Sequence, residues 1–422
     1  MKKIIIATAI CTAATQLWAS GFQIVEQGAS NLGTALAGAT VNANGDASAA
    51  FWNPSASFFV NGGLEVGEMK TDSALSFIVP DFRFKPTLAK DPSGADIVGS
   101  DGGNAGGTSI VPNFYMIYKI AEDWNFTLSL TSPYGLETKY TNDFVGRYHG
   151  IKSNVMTIDI NPSIAYQVCD WFSVSAGASA QYVSAELTQA SDIGPFTDVF
   201  SVVKGHGWSA GFNLGMTFQY DEKGRIGVGY RSQVSHTVEG SMQVRHPMLA
   251  AAGGDVEASV SLPNVVNVGL YQRFYGDLED FAVMVDYSWT QWSTFKDLTV
   301  VDSGSGGVLS STNESWKDTS RVSLGMHYYP TENLTLRLGT TWDESPIRST
   351  KLRTPRIPDA NRLWIATGLG YHDDWWNVEL AYAYIIFDAS YMDNDEDLKK
   401  GHLQGSFSGA AHVISLQVGL KF

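Results

Sequence analysis

Three groups of residues in this chain have types and spacings that invite a chemical reading. Asp393, Asp395 and Asp397, in the run Asp-Asn-Asp-Glu-Asp, match the first half of a calcium loop. The glycine and the distal Glu of an EF-hand are missing, so the run reads better as a solvated acidic loop. His412 and Ser415 are the nearest approach to a hydrolase pair. Three residues apart on a strand, they point to opposite faces and cannot exchange a proton. The eight histidines show no metal-ligand spacing, and no phosphate loop or nucleophile elbow is present. The expectation is a protein that is not an enzyme and has neither metal nor cofactor.

A stretch that obeys no period, Ser20 to Ser55, precedes everything that does. It is rich in Gly, Ala, Ser and Asn and closes with Phe51-Trp52-Asn53-Pro54-Ser55. Small residues permit close backbone packing, and a Pro cannot donate to a ladder. Such a piece suits a plug enclosed by walls. Before it, Lys2 and Lys3, an apolar run from Ile4 to Leu17, and Ala19 make a secretory signal cut after Ala19. A lipoprotein signal fits poorly, because Ile10 precedes Cys11.

Loss of the two signal lysines takes the formal charge from −15 to about −17. So acidic a chain, without a basic stripe, excludes nucleic acid as a partner. Cys169 is the single cysteine after the cut, which rules out an internal disulfide. No later segment has the 18 or more apolar residues of a membrane helix.

What positions everything else is a series of strands of period two. In the last, His412, Ile414, Leu416, Val418, Leu420 and Phe422 alternate with Val413, Ser415, Gln417, Gly419 and Lys421. The same alternation recurs at Trp124–Thr131, Met156–Ile164, Trp208–Gln219 and Trp376–Tyr384. Trp and Tyr gather at strand ends, as in the girdles at a bilayer interface. Short connections (near 121–122, 169–170, 221–224, 276–279, 330–333 and 372–373) alternate with long polar ones near 85–109, 135–154, 190–205, 245–256, 297–313, 345–360 and 389–405. The pattern predicts an all-β protein, a transmembrane antiparallel β-barrel of about 14 strands with short periplasmic turns. Residues 1–19 are then the signal, 20–60 an N-terminal hatch in the lumen, and 61–422 the barrel.

The motifs carry a family resemblance. GFQIVEQGASNLGTALAGAT with FWNPS, SPYGLET at 132–138, GRYHGIKS at 146–153, GYRSQVSHTVEG at 229–240, SLPNVVNVGLY at 261–271, YSWTQWSTF at 287–295, WKDTSRVSLG at 316–325, WDESPIRS at 342–349 and IPDANRLW at 357–364 follow one another in order. Together they resemble the FadL family of outer-membrane long-chain fatty-acid transporters. The resemblance implies a monomeric barrel in the outer membrane of a Gram-negative bacterium. It would be surrounded by outer-membrane lipid and lipopolysaccharide and delivered by the barrel assembly machinery. Long-chain fatty acid or another hydrophobic small molecule is captured at the outer loops, passes to an inner pocket and leaves sideways at a kinked third strand. The family's hatch reads Asn-Pro-Ala; here it reads Asn53-Pro54-Ser55.

Pro133 and Gly135, flanking Tyr134, give the kink an independent reason, since Pro removes a ladder donor and Gly tolerates unusual angles. The plainer reading ends the strand there in a surface loop. For a ligand carboxylate, strand parity offers inward Arg231, Lys317, Arg321 and Arg337, with Lys317 as the implied pocket lysine beside an outward Trp316. Asp286, Asp318 and Asp343 are available to neutralise these bases. Inward Trp292 and Trp364, and Phe22 at the start of the mature chain, are candidate lining. Ser184 stands where the resemblance implies a second base, which suits a neutral aromatic hydrocarbon as cargo. The other readings are a diffusion porin, which should lack a plug, and a plugged barrel that only binds ligand.

Overall fold

The computed structural model describes residues 21–193 and 196–422. The signal and Ser20 lie outside the described residues. Twenty strand segments form fourteen antiparallel wall strands, numbered here in chain order. Each pairs with the next, and the first (Met69–Lys90) pairs with the fourteenth (His402–Lys421) from Lys70↔Lys421 to Lys90↔His402. That last pairing closes the barrel and removes every sheet edge, as a wall facing hydrocarbon requires.

Period two explains which way the wall faces. In the fourteenth strand Ile414, Leu416 and Val418 are exposed while Val413, Ser415 and Gln417 are buried. The apolar set points outward and the polar set inward, the inverse of a water-soluble barrel. Exposed Trp124, Trp171, Tyr275, Trp375 and Tyr371 gather at the ends carrying the short turns.

The walls run further than the sequence suggests. The fifth strand, Phe172–Ile193, and the sixth, Phe196–Asp221, cross the region expected to be a loop at 190–205. Likewise Asp297–Asp302 pairs with Val308–Asn313, inside the expected 297–313 loop. Above the bilayer a ladder needs no apolar outer face, so its residues turn polar while its backbone pairing continues. Polarity alone therefore misplaces the outer strand ends.

Within the ring, every residue from Gly21 to Ser57 is buried. This segment has no ladder of its own, only helices at Ala29–Leu32 and Ala49–Trp52 and a 3-10 turn at Pro54–Phe58. Its polar backbone is satisfied by inward side chains around the circumference. Asp286 of the ninth strand accepts from the N–H groups of Gly38 at 2.5 Å and Thr40 at 3.2 Å. Asp72 of the first strand accepts from Ala47 N–H at 2.7 Å. Arg225 of the seventh donates to the carbonyls of Val41 and Asn42, both at 2.7 Å.

Candidate functional site

The third wall strand is where wall and N-terminal segment become one structure. It runs Trp124–Thr131, breaks, and resumes as Gly135–Lys139. Its ladder to the fourth strand stops at Thr131↔Asp159 and resumes at Gly135↔Met156. Its ladder to the second strand ends at Phe114↔Leu130, although the second strand itself begins at Ser109. Pro133 lies in the gap. The freed groups bond to the N-terminal segment instead: Ile24 N–H donates to Pro133 O and Gly135 N–H to Phe22 O, each at 2.8 Å. Gln23 and Tyr134 form the antiparallel bridge between these bonds.

Aromatic rings close over this splice. Phe22 lies 4.9 Å from Trp292, 5.5 Å from Phe295, 5.8 Å from Trp316 and 6.2 Å from Tyr134, centroid to centroid. All are buried. Gly21 adopts φ +65°, and a Cβ there would stand 2.4 Å from the Trp316 ring, so only glycine fits. Trp364 belongs to the same apolar cluster. The indole N–H groups of Trp292 and Trp364 find no acceptor among the described residues.

Beside the rings stands a charged group. Arg362 lies 3.2 Å from Asp359 and 3.5 Å from Asp343, and Asp359 accepts from Gly21 N–H at 3.2 Å. Glu26 accepts from backbone N–H groups at its own end of the segment, Val25 N–H at 3.0 Å among them, and its other oxygen is buried without a hydrogen-bond partner among the described residues. Burial raises its carboxyl from 4.5 to about 7, against the lowering pull of those backbone bonds and of Arg362.

The bases named from parity behave differently from one another. Arg231 does point inward, but its guanidinium pairs with Asp159 at 3.0 Å and stacks over Phe51 at 4.2 Å. Arg337 is bound by Glu379 and donates to Asn44 at 2.9 Å. Lys317 and Trp316 are reversed relative to expectation: Trp316 is the inward residue, 1% exposed, and Lys317 pairs with Glu344 at 2.6 Å. Parity fails because Glu314–Asp318 is not strand and Ser315 has φ +41°. Ser184 has the outward parity of Ala176 and Ala180, so it lines no inner pocket.

Asn53, Pro54 and Ser55 form a knot against the fifth and sixth strands. Asn53 donates to Thr40 O and Thr217 Oγ1, both at 3.0 Å, and accepts from Ser55 Oγ at 2.7 Å. Ser55 Oγ also meets Thr217 Oγ1 at 2.7 Å, and Ser173 Oγ donates to Ser55 O at 2.8 Å. The hydroxyl that departs from the family's alanine thus has two partners. Farther out, the acidic run is tied down by Lys351, 2.8 Å from Asp395, and by His402, 2.7 Å from Asp393.

A base that sequence reading passed over is Arg356. It sits in an outer connection, where no period assigns a direction. Its guanidinium donates to Ser153 Oγ at 3.1 Å and Gln189 Oε1 at 2.7 Å, both neutral. It lines a cavity of about 380 Å³ whose other walls are mostly apolar, among them Leu187, Val203, Met242, Leu249 and Leu298, with Gln189, Ser191, Ser201, Ser310 and Thr312 between them. Burial, against the raising pull of nearby Glu314, lowers its pKa from 12.5 to about 10. A desolvated cation with neutral partners at the foot of an apolar cavity can hold the anionic end of an amphiphile.

Comparison with known proteins agrees with this architecture. A family model described as outer membrane protein transport protein (OMPP1/FadL/TodX) matches residues 10–422. The long-chain fatty acid transport protein of Escherichia coli O6:H1 is 28% identical over 407 residues, covering 87% of this chain and 86% of that protein. The crystal structure of a Pseudomonas aeruginosa FadL homologue aligns with TM-score 0.85 at 22% identity, covering 95% of this chain and 99% of the other. The toluene transporter TodX of P. putida aligns with TM-score 0.67 at 17% identity, covering 92% and 97%. At such identities the two structures speak for the fold.

Proposed function

Since the chain belongs to the outer-membrane transport family of OMPP1, FadL and TodX, we propose that it takes up hydrophobic compounds, long-chain fatty acids foremost, through a gated lateral route. Cargo enters at the outer cavity above Arg356, moves to the aromatic cluster around Phe22, and leaves through the wall where the third strand is interrupted. Residues 20–60 serve as the hatch, with Asn53, Pro54 and Ser55 as its latch. Phe22, Trp292 and Trp364 line the inner pocket. Pro133, Tyr134 and Gly135 border the exit.

One observation carries this reading. The third strand's missing ladder bonds are supplied by Phe22 and Ile24 rather than by the second strand. Moving the N-terminal segment therefore alters the wall and the aromatic pocket in one step, which couples the arrival of cargo to an opening beside it.

The fatty-acid assignment rests on Arg356. A neutral aromatic hydrocarbon is the second reading, favoured by the inner cluster, where Arg231 and Arg362 already face carboxylates at 3.0 Å and 3.2 Å.

The test is a cross-link over the gap, Asn113→Cys with Ser132→Cys, two residues already joined by a bond from Ser132 N–H to Asn113 Oδ1 at 3.4 Å. Uptake of labelled oleate and of toluene should fall on oxidation and return on reduction. Unchanged uptake of both in the oxidised protein would refute the lateral route. Loss of oleate uptake alone in Arg356→Gln supports the fatty-acid assignment, and equal loss of both removes it.

A further inference from the structure

The apolar outer cavity has a larger, polar neighbour. A second cavity of about 910 Å³ shares Gln189, Ser191, Ile193, Leu309, Ser310 and Thr312 with the first. Its remaining walls include His149, Thr354, Lys400 and Asp397. A fatty acid has no use for this space. With Arg356 at the foot of the first cavity, a carboxylate there leaves the second cavity untouched.

The second cavity nevertheless has a built lining. His149 is 5% exposed and Thr354 is 4% exposed. Both line it, and His149 Nε2 and Thr354 Oγ1 have no hydrogen-bond partner among the described residues. Buried polar atoms without partners are costly, and both belong to side chains that line this one space, where a ligand oxygen brought close would satisfy them. Lys400, 7% exposed, brings its ammonium to 3.2 Å from Asp397 and 3.0 Å from Thr312 Oγ1. Burial first, then the positive fields of Lys400 and Arg356 against the opposing pull of Asp397, holds the His149 imidazole down to about 3, so it stays neutral. The polar chamber therefore offers the Lys400 ammonium, a neutral imidazole and a hydroxyl, with the Arg356 guanidinium on the adjoining apolar cavity. Asp397 and the neighbouring Glu396 supply the opposite sign on its lining.

We propose that the paired outer cavities bind a single-chain phospholipid, its acyl chain in the apolar cavity and its phosphodiester head group in the polar one. Phosphate oxygens accept from Arg356, Lys400 and Thr354, while His149 bonds to a phosphate or glycerol oxygen. The cationic end of a zwitterionic head lies toward Asp397 and Glu396. At ~30 Å³ for each water-sized group, the apolar cavity of about 380 Å³ takes a chain on the order of a dozen methylenes. The inference rests on the outer capture step proposed above and names a wider substrate class for it.

The test uses the full chain in lipid nanodiscs, titrated calorimetrically with lauroyl-lysophosphatidylcholine, with laurate and with glycerophosphocholine, empty discs being subtracted. The lysophospholipid should bind at least about tenfold more tightly than laurate, and the head group alone should not bind. His149→Phe with Thr354→Val keeps the volume and removes the two unpartnered groups, so the barrel should fold as before. It should abolish the lysophospholipid's advantage and leave laurate unchanged. Ala252→Trp, in the apolar cavity, should weaken both. Equal affinity for the two amphiphiles, or an equal response of both to the double variant, would overturn the proposal while leaving fatty-acid capture standing. Tight binding of glycerophosphocholine alone would also overturn it. If laurate fails to bind while the lysophospholipid binds, the fatty-acid reading fails and the present one survives.

Discussion

Arg225→Ala is the sharpest test of whether the wall holds the N-terminal segment in place. The Arg225 guanidinium donates two bonds of 2.7 Å to the carbonyls of Val41 and Asn42. It also stacks 4.7 Å from Phe59 and 4.5 Å from Tyr271. Each charge-assisted bond contributes ~1.5–3 kcal/mol and each ring contact ~0.5–2 kcal/mol. Because the four contacts share one group, they do not simply add. About 4 kcal/mol is a reasonable expectation for the loss, which at ~1.4 kcal/mol per tenfold raises local opening by about a thousandfold.

The readout is hydrogen exchange at Asn42, Ala43 and Gly45, whose N–H groups donate to Ala39, Gly38 and Asn42 at 3.2, 2.9 and 3.1 Å. Those amides should exchange about a thousandfold faster, with ladder amides of the seventh strand unchanged. Arg225→Lys keeps the charge without the two-pronged geometry and should fall between. Less than about tenfold acceleration in Arg225→Ala, with an intact barrel, would refute the view that side chains of the wall hold the segment.

Three further outcomes are expected. Gly21→Ala forces a Cβ to 2.4 Å from Trp316 at φ +65°; it should destabilise the aromatic cluster by ~1–3 kcal/mol, read as a red-shifted tryptophan emission and altered oleate uptake. Asn53→Ala leaves Thr40 O and Thr217 Oγ1 without the donors they meet at 3.0 Å, and a cost of ~2–4 kcal/mol should appear as faster exchange at Ala56, with no change at Ile24. Glu26 titrates at about 7 when buried and at 4.5 when released. The closed arrangement therefore binds the extra proton: its stabilisation is complete below 4.5 and is lost as pH rises through 7. The full effect is on the order of 3 kcal/mol. Protease cleavage within residues 21–60 should increase from pH 5 to pH 8, and Glu26→Gln should flatten the profile.

Much of the wall was legible because a membrane imposes the same period on every strand that crosses it. The interruption at Pro133 was legible for a local reason, a residue that cannot donate. Where the bilayer stops constraining the chain, legibility stops too. Trp316 and Lys317 were assigned opposite faces from a parity that holds only in extended backbone, and Ser315 breaks it. A motif position such as Ser184 carries no facing of its own; the direction comes from the parity of its strand, which turns it outward. Arg356 escaped notice because an irregular connection carries no directional signal, and its significance depends on Gln189 and Ser153, distant in sequence. The unpartnered atoms of His149 and Thr354 emerge only when cavities and hydrogen bonds are considered together.

The bond pattern of the N-terminal segment also bears on how the molecule is made. Its two helices have four residues each, too few to persist alone. Its anchors include Asp72 on the first strand, Arg225 on the seventh, Asp286 on the ninth and Gln417 on the fourteenth. Synthesised before all of these, the segment has nothing to fold against until they arrive. Met69 and Phe422, which exchange bonds of 3.0 and 2.8 Å, seal the ring only at the end. The wall is thus the mould in which the segment is cast.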